Sequence, residues 1–323
     1  MNHGNVNAKI AGGLLALKKR IDAAKVPPSK LDESINLATW NIREFGRKRR
    51  SEAAVHYIAE VLGQFDLVGV VELRNDLRDL GRVLQILGPH WRAVYSGMIP
   101  DYGGNWERVA YLYDSRAVTF NGLAAEAHTP RKKKGFEYLP SASFWRAPYL
   151  ATFKSGSFDF VVLTTHIRWG SNESARHDEL ERLADWIEAK RQDEYAEDKD
   201  LIVMGDFNIP SKTSSLFKAI TKHGLELPRA LARLQHGSNL AKDKRYDQIL
   251  HYPQFPVNFS NAGGVLDFFL GDAHIKELFD GEMTREAFTY QMSDHLPLWM
   301  QVRTDIEGFR LEQIVQTQAT ERP

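Results

Sequence analysis

The chain of 323 residues contains no cysteine. Disulfide bonds, catalysis by a thiolate and zinc sites with cysteine ligands are therefore all excluded. A chain without cysteine suits a reducing compartment. We therefore expect a cytoplasmic location, with secretion as the open alternative.

The chain also lacks an excess of charge of either sign, because 42 Lys and Arg residues balance 42 Asp and Glu residues. A contact with a polyanion such as nucleic acid must then depend on local patches. Two basic runs could supply such patches: "REFGRKRR" at 43–50 and "RKKK" at 131–134. By count alone, such runs are more often solvated loops. Both are predicted to fall in loops, where they could hold backbone phosphates.

Long apolar runs are absent as well. No segment approaches the roughly 18 uninterrupted apolar residues that a membrane-spanning helix needs. The short run "IAGGLLALKKR" near the N-terminus differs from a signal peptide because its cationic residues follow the apolar part. We expect no stable membrane association, and we expect a monomer.

The same N-terminal segment has helical spacing. Five apolar residues can share one broad helical face: Ile10, Leu14, Leu15, Leu17 and Ile21. This pattern predicts an amphipathic helix that packs on the body and ends near Pro27 and Pro28. Residues 1–34 are accordingly interpreted as a helical extension, residues 35–303 as the catalytic domain and residues 304–323 as a C-terminal tail.

The body alternates strand-like runs with amphipathic helices. Strands are predicted at 35–42, 66–73, 91–95, 109–113, 144–153, 158–165, 201–205, 247–251, 265–270 and 296–303. Helices are predicted at 51–63, around 77–87, at 174–195, at 213–223 and after about 304. The pattern favours one α/β domain with two packed sheets covered by helices. A doubly wound nucleotide-binding fold is less favoured, because no G-x-G-x-x-G or phosphate-loop element follows the first strand.

Polar side chains recur where the predicted strands meet loops. They are acids, amides and histidines: Asn41, Glu72, Glu107, His166, Asp206, Asn208, Asp247, Asp294 and His295. Each of them alone has an ordinary structural explanation, since Asn and Asp at strand ends commonly satisfy turn backbone. Together they form the inventory of a catalytic site.

That inventory fits metal-assisted hydrolysis of a phosphodiester. Oxygen ligands such as Asn41, Glu72 and Asp294 suit Mg²⁺ or Ca²⁺ better than a soft metal. Two histidines can supply a general base and a general acid, and a carboxylate on the other ring nitrogen holds a histidine in its working tautomer. Phosphodiester cleavage needs such a set, with a positioned water and neutralised phosphate oxygens.

The motifs around these residues resemble those of the endonuclease/exonuclease/phosphatase superfamily, closest to its deoxyribonuclease I-like branch. They follow the family's order along residues 35–303: "TWNIREFG", "VVELRND", "ERVAYLYD", "SFWRAPYLATF", "THIRWG", "GDFNIP", "YDQIL" and "SDHLPLW". The resemblance implies a four-layer α/β sandwich, in which two mixed β-sheets are flanked by helices.

The resemblance also implies roles for the polar residues. Asn41 and Glu72 would bind the divalent metal, Mg²⁺ with Mn²⁺ or Ca²⁺ as substitutes, and Asp294 would assist metal or water binding. Asp206 and Asn208 would orient the attacking water and the scissile phosphate.

The histidines would form the acid–base pair, His295 held by Asp247 and His166 held by Glu107. Which of them is the base is left open here, with His295 favoured.

Three arginines would contact the substrate. Arg43 and Arg146 occupy positions of phosphate-contacting arginines, and Arg74 matches a minor-groove arginine whose neighbouring stacking tyrosine corresponds to Asn105 here.

The function implied is an endonuclease that cuts DNA, and RNA as a further candidate, with little sequence specificity. The alternative is a phosphodiesterase or phosphatase acting on a phospholipid headgroup or an inositol phosphate. Gln248 stands where inositol-polyphosphate phosphatases have an arginine, and residues 96–107 are a candidate for a membrane-binding loop. A non-catalytic binding module is disfavoured because every catalytic position is filled.

Overall fold

The computed structural model describes residues 1–98, 106–139, 143–196, 200–252, 258–279 and 283–320. Within these ranges the strands are β1 Ser34–Phe45, β2 Leu67–Leu73, β3 Trp91–Tyr95, β4 Arg108–Asp114, β5 Thr119–Glu126, β6 Lys132–Lys134, β7 Glu137–Leu139, β8 Tyr149–Ser155, β9 Phe158–His166, β10 Leu201–Asp206, β11 Asp247–His251, β12 Phe259–Val265 and β13 Leu298–Arg303. The α-helices are α1 Ala8–Ala23, α2 Glu52–Leu62, α3 Arg78–Leu87, α4 Glu173–Gln192, α5 Ser215–Thr221, α6 Arg229–Ala232, α7 Ile275–Leu278, α8 Arg285–Gln291 and α9 Glu307–Thr320.

Eleven of these strands form two mixed β-sheets. The first has the order β12-β13-β1-β2-β4-β3, and the second has the order β11-β10-β9-β8-β5. In each sheet one central pair is parallel, β1 with β2 and β9 with β10, while the other neighbours are antiparallel. The remaining two strands, β6 and β7, form a separate hairpin.

The sheets pack face to face between two helical layers. The core between them is rich in aromatic residues, with Tyr111 of the first sheet against Tyr149 and Phe153 of the second. Helices α1, α2 and α3 cover the outer face of the first sheet, and α4 and α5 cover that of the second. The predicted four-layer α/β sandwich is confirmed.

Helix α1 belongs to the layer that covers the first sheet. Its residues Ile10, Leu14, Leu17 and Ile21 are buried in the same apolar cluster as Trp40 of β1. The prediction for Leu15 is wrong, since its side chain is 64% exposed. The helix begins after Asn7, whose side chain accepts a hydrogen bond from the Ile10 N–H, and it ends at Ala23.

Some predicted elements differ from the observed ones. The strand predicted at 265–270 is wrong, since β12 ends at Val265. Leu266 and Phe268 are buried beneath the helices as irregular chain. The strand predicted from Phe144 begins only at Tyr149, after Pro148, which has no N–H for a sheet ladder. The basic run at 131–134 is largely strand β6, where a loop was expected.

Among the described residues no helix combines the length and the apolarity needed to cross a membrane. Residues 99–105, which make up most of the candidate membrane-binding loop and include Asn105, lie outside the described ranges.

Candidate active site

The second sheet places three of the predicted residues in one row at its edge. His166 ends β9 and lies directly beside Asp206, which ends the parallel neighbour β10. Asp206 in turn lies beside Asp247, the first residue of the antiparallel strand β11. Because the carboxyl ends of parallel strands meet at the same edge of a sheet, "GDFN" and "TTH" deliver their side chains to one place.

Gly205 makes this close row achievable. Its φ of +134° is readily adopted only by glycine, and a Cβ at this position would lie 2.0 Å from the Thr165 carbonyl oxygen. The turn that follows is fixed by Asn208, also in the left-handed region with φ +51°. Its N–H donates to Asp206 Oδ1 (2.9 Å) and its Nδ2 donates to the Ile167 carbonyl (2.8 Å). The backbone N–H of Asn208 thus holds the carboxylate of Asp206 in place.

We expect Gly205→Ala to lower the free energy of unfolding by about 3–5 kcal/mol, through backbone strain and the clash with Thr165. Gly122→Ala is the matched control, because Gly122 also has a positive φ (+98°) but has no neighbouring atom within 4 Å of the added Cβ. It should lose only the strain, about 1–3 kcal/mol. Urea denaturation of both variants measures the difference. Equal losses would show that the packing of β10 on β9 does not require glycine.

The first sheet contributes Asn41 and Glu72. Asn41 lies near the end of β1, opposite Val71 of the parallel strand β2. Its Nδ2 donates to Glu72 Oε1 (3.1 Å) and to Asp206 Oδ2 (3.0 Å), so this amide joins the two sheets at the site. Glu72 has a φ of +64° and accepts a hydrogen bond from the Glu44 N–H at its second oxygen (2.8 Å).

Each histidine lies against a buried carboxylate. His166 Nδ1 is 2.8 Å from Glu107 Oε1, and His295 Nδ1 is 2.7 Å from Asp247 Oδ2. The two Nε2 atoms both face Asp206, at 3.8 Å and 3.7 Å from its Oδ2. Asp206 therefore lies between two histidine–carboxylate pairs, and both pairs are buried.

These contacts set the protonation of the site. Burial alone would lower the pKa of both histidines, but for His295 the Asp247 and Asp206 carboxylates outweigh it and hold the pKa well above its ordinary value. Glu107 and Asp206 raise the pKa of His166 in the same way. Burial acts in the opposite direction on Asp206, yet the two histidines lower the pKa of Asp206. Charged imidazoles and an ionised Asp206 are thus the favoured states in this arrangement.

One residue to which the sequence analysis gave no role, Ser293, connects the elements. Its hydroxyl donates to the Asn41 carbonyl (2.6 Å) and accepts from the backbone N–H groups of His295 (3.0 Å) and Arg43 (3.2 Å). The signal available in the sequence was a serine two positions before a candidate catalytic histidine. Ser293 therefore sets where His295 lies relative to β1.

The three arginines predicted to contact the substrate differ in how deeply they are buried. Arg146 is 5% exposed, with Nε 2.6 Å from Glu107 Oε1. Arg74 is 6% exposed and lies among three carboxylates, 3.7 Å from Glu44 and Glu72 and 3.9 Å from Glu107. Both arginines therefore bring positive charge close to the acidic side chains inside the site.

Arg43 and Asp294 lie nearer the rim of the site. The Arg43 guanidinium lies 4.0 Å from the ring centroid of Tyr290 and donates to the Tyr290 hydroxyl. Its Nε is 3.9 Å from Asp294, whose side chain is 44% exposed. Asp294 contacts this arginine, and it is more open to solvent than Asn41 or Glu72.

The residues present fit a hard divalent cation. Asn41 Oδ1 is buried and has no hydrogen-bond partner in the described part of the chain, and the Glu72 carboxylate is bonded to the same side chain. Amide and carboxylate oxygens are the ligands that Mg²⁺ and Ca²⁺ prefer. A second group, formed by Asp206, Asp247 and His295, also has ligand atoms within 4.8 Å of one another. It fits Mg²⁺ less well, because it includes an imidazole that is already hydrogen-bonded to Asp247.

The chain is similar to known proteins. The family model described as "Endonuclease/Exonuclease/phosphatase family" matches residues 38–295. A deoxyribonuclease of Thioalkalivibrio sp. (strain K90mix) is 31% identical over 294 residues, which cover 84% of this chain and 72% of the relative. Deoxyribonuclease-1 of Bos taurus is 28% identical over 59% of this chain and 67% of its own length.

The fold has solved counterparts as well. The catalytic domain of human Nocturnin superposes with a TM-score of 0.54 at 16% identity, over 85% of this chain and 96% of that domain. At this identity the match concerns the fold alone. Taken with the family match and the deoxyribonuclease relatives, the chain belongs to the endonuclease/exonuclease/phosphatase family, in its deoxyribonuclease I-like branch.

Proposed function

We propose that the protein is a Mg²⁺-dependent phosphodiesterase that cuts DNA internally with little sequence specificity, with RNA as a further candidate substrate. The observation that carries the proposal is the placement of two histidine–carboxylate pairs on either side of Asp206, with Asn41 reaching the same carboxylate from the other sheet. The relatives named deoxyribonuclease favour DNA over other phosphodiesters.

Asn41 Oδ1 and the Glu72 carboxylate are the groups that would hold the cation. When bound there, Mg²⁺ would neutralise phosphate oxygens and stabilise the negative charge of the transition state. The roles of Asn41 and Glu72 are then to fix the ion's position and to leave the remaining positions for substrate and water.

The histidines would move the protons. Asp247 keeps the proton on His295 Nδ1, so that deprotonated His295 Nε2 accepts a proton from the attacking water as the new P–O bond forms. Glu107 keeps the proton on His166 Nδ1, and protonated His166 Nε2 donates to the leaving oxygen as the old P–O bond breaks. Asp206 and Asn208 would orient the water and the phosphate between them. The raised pKa of His166 favours its protonated form, as the role of acid requires. The pKa of His295 is also held well above its ordinary value, so His295 must first release its Nε2 proton to act as the base.

Arg43, Arg74 and Arg146 would complete the substrate site. Arg146 already touches Glu107, so it can approach a phosphate oxygen while orienting the carboxylate behind His166. Arg43 lies at the rim on Tyr290, where it can contact a neighbouring phosphate of the strand.

Metal removal tests the proposal directly. Purified protein with Mg²⁺ is expected to convert supercoiled plasmid to open circles, excess EDTA should abolish the conversion, and added Mg²⁺ should restore it, because phosphate neutralisation needs the cation. Parallel assays use single-stranded DNA, RNA, sphingomyelin and inositol phosphates. Intact nucleic acid in Mg²⁺ or Mn²⁺, together with turnover of a lipid headgroup or an inositol phosphate, would replace the endonuclease by the alternative phosphodiesterase.

A further inference from the structure

The hairpin of β6 and β7 carries a pattern that the catalytic site does not explain. Lys132, Lys133 and Lys134 are all exposed, and the turn Gly135–Phe136 places a phenylalanine at the tip. The Phe136 side chain is fully exposed. An exposed aromatic ring among cationic side chains is a poor core element and is typical of a surface that stacks on bases while it holds phosphates.

The topology places this hairpin on the active-site side of the molecule. Strand β5 ends at Glu126, which pairs with Tyr149 at the start of β8. Tyr149 pairs with Thr164, two residues before His166. The Ala127 N–H donates to the Pro148 carbonyl (2.7 Å). The chain that leads to the hairpin therefore leaves the sheet after Ala127, at the edge that carries His166 and Asp206.

The chain length limits how far the hairpin can lie from that edge. The five residue steps from Ala127 to Lys132 span at most about 18 Å when fully extended, and Phe136 lies at most about 32 Å from Ala127. One turn of duplex DNA is about 34 Å long. The lysines and Phe136 can therefore reach only the part of the nucleic acid that directly flanks the scissile phosphate.

Two exposed tryptophans flank the site on the same side. Trp145 precedes Arg146 and is 47% exposed, and Trp169 follows His166 by three residues and is 74% exposed. The guanidinium of Arg168 lies 4.6 Å from the ring centroid of Trp145. Aromatic and cationic groups thus border the catalytic residues on the side from which the hairpin projects.

We propose that residues 131–137 form a single-strand-binding arm: Phe136 stacks on an unpaired base, and the lysines of β6 contact the phosphates beside it. The inference rests on the proposed nuclease function. It adds a preference for single-stranded or frayed nucleic acid, since a ring stacks on an unpaired base without the unstacking cost of entering a duplex.

The test compares two substrates of the same enzyme. One is a short single-stranded oligonucleotide, and the other is bis(p-nitrophenyl) phosphate, which is too small to reach the arm and reports on the catalytic residues alone. Phe136→Ala and the double variant Lys132→Gln/Lys134→Gln should each raise KM for the oligonucleotide by about 10-fold, as expected for one lost stacking or two lost phosphate contacts. Turnover of the small diester should be unchanged.

Salt provides a second readout. In the double lysine variant, the slope of log KM against log salt concentration should decrease by about 1.4, which is about 0.7 for each lost phosphate contact to a single strand. Phe136→Ala should leave this slope as it is.

Matched controls lie away from the arm, and the first of them is at the opposite end of the second sheet. Tyr195 is exposed and lies a few residues before Leu201, where β10 begins, so Tyr195→Ala removes an exposed ring remote from the arm. Lys30→Gln/Lys154→Gln removes two exposed charges elsewhere. Both controls should keep the wild-type KM and salt slope for the oligonucleotide.

The outcomes separate the arm from the nuclease function. If the wild-type protein cuts the oligonucleotide and the arm variants match it in KM and salt slope, the arm is refuted and the nuclease stands. If the wild-type protein cuts no nucleic acid, the proposed function fails first, and the arm fails with it. Binding of wild-type protein to vesicles of phosphatidylglycerol and phosphatidylcholine that is lost in Phe136→Ala, with oligonucleotide KM unchanged, would assign the hairpin to a membrane surface and overturn the proposal.

Discussion

Replacing either active-site histidine by glutamine is expected to lower kcat/KM on plasmid or oligonucleotide DNA by about 10²–10⁴-fold. Glutamine keeps a polar side chain of similar size in the pocket, but it cannot exchange a proton at the position of Nε2. Unchanged circular dichroism and thermal unfolding of each variant would show that the loss reports proton transfer and not collapse of the site. Initial rates of cleavage with saturating Mg²⁺ measure it.

A matched control is His251→Gln, which changes another buried histidine. His251 Nδ1 lies 2.7 Å from the Tyr252 carbonyl, and its ring is stacked on Phe259. If circular dichroism shows that this variant is folded, its cleavage activity should match that of the wild-type protein. Retention of most activity in both His166→Gln and His295→Gln would remove the histidines from the mechanism.

The same variants separate the base from the acid. The leaving group of bis(p-nitrophenyl) phosphate departs without a proton, so His166→Gln should lose much less activity on this diester than on DNA. His295→Gln should lose activity on both substrates, because the attacking water still needs a base. The reverse pattern would exchange the two roles.

Replacing Glu72 by glutamine is expected to raise the Mg²⁺ concentration for half-maximal activity by at least about 10–100-fold. That range is typical for the loss of a residue that only hydrogen-bonds a metal ligand, and Glu72 would bind the metal itself. The substitution preserves the shape of the side chain and removes the negative charge that would hold the cation. Calorimetric titration with Mn²⁺ provides a readout that does not depend on activity, and it should show the same loss of affinity.

Glu44→Gln is the control for this experiment. Glu44 and Glu72 both lie 3.7 Å from Arg74, so the control also removes a carboxylate from that arginine but leaves the proposed ligand in place. Its Mg²⁺ dependence should stay close to that of the wild-type protein. A wild-type Mg²⁺ dependence in Glu72→Gln itself would show that the cation is held elsewhere.

The sequence indicated most of the residues that the structure brings together in the candidate site, because they end buried strands, where apolar patterns are strong. Asp206 and His166 follow apolar runs after one and two intervening residues, and their positions at one edge follow from parallel pairing. The sequence could not show that Asn41 reaches Asp206 across the interface between the sheets, because that contact joins residues 165 positions apart. Contacts of this kind depend on how the two sheets pack.

Other features were missed for local reasons. The run 265–270 is apolar enough for a strand, but its residues are buried as irregular chain after β12. The left-handed φ of Glu72 has no signal in its side chain, since glutamate rarely adopts it. The β6–β7 hairpin was hidden because lysine and glycine have low strand propensity, and the pairing of β6 with β7 overrides it.

The placement of the cation is tested most directly by the crystal structure of the protein grown with Mn²⁺, in which anomalous scattering locates the ion. We predict one ion within coordinating distance, about 2.2 Å, of Asn41 Oδ1 and a Glu72 carboxylate oxygen, on the same side as His166 Nε2 and His295 Nε2. An ion bound instead by Asp206, Asp247 and His295, or the absence of an ion at Asn41 and Glu72, would contradict this placement.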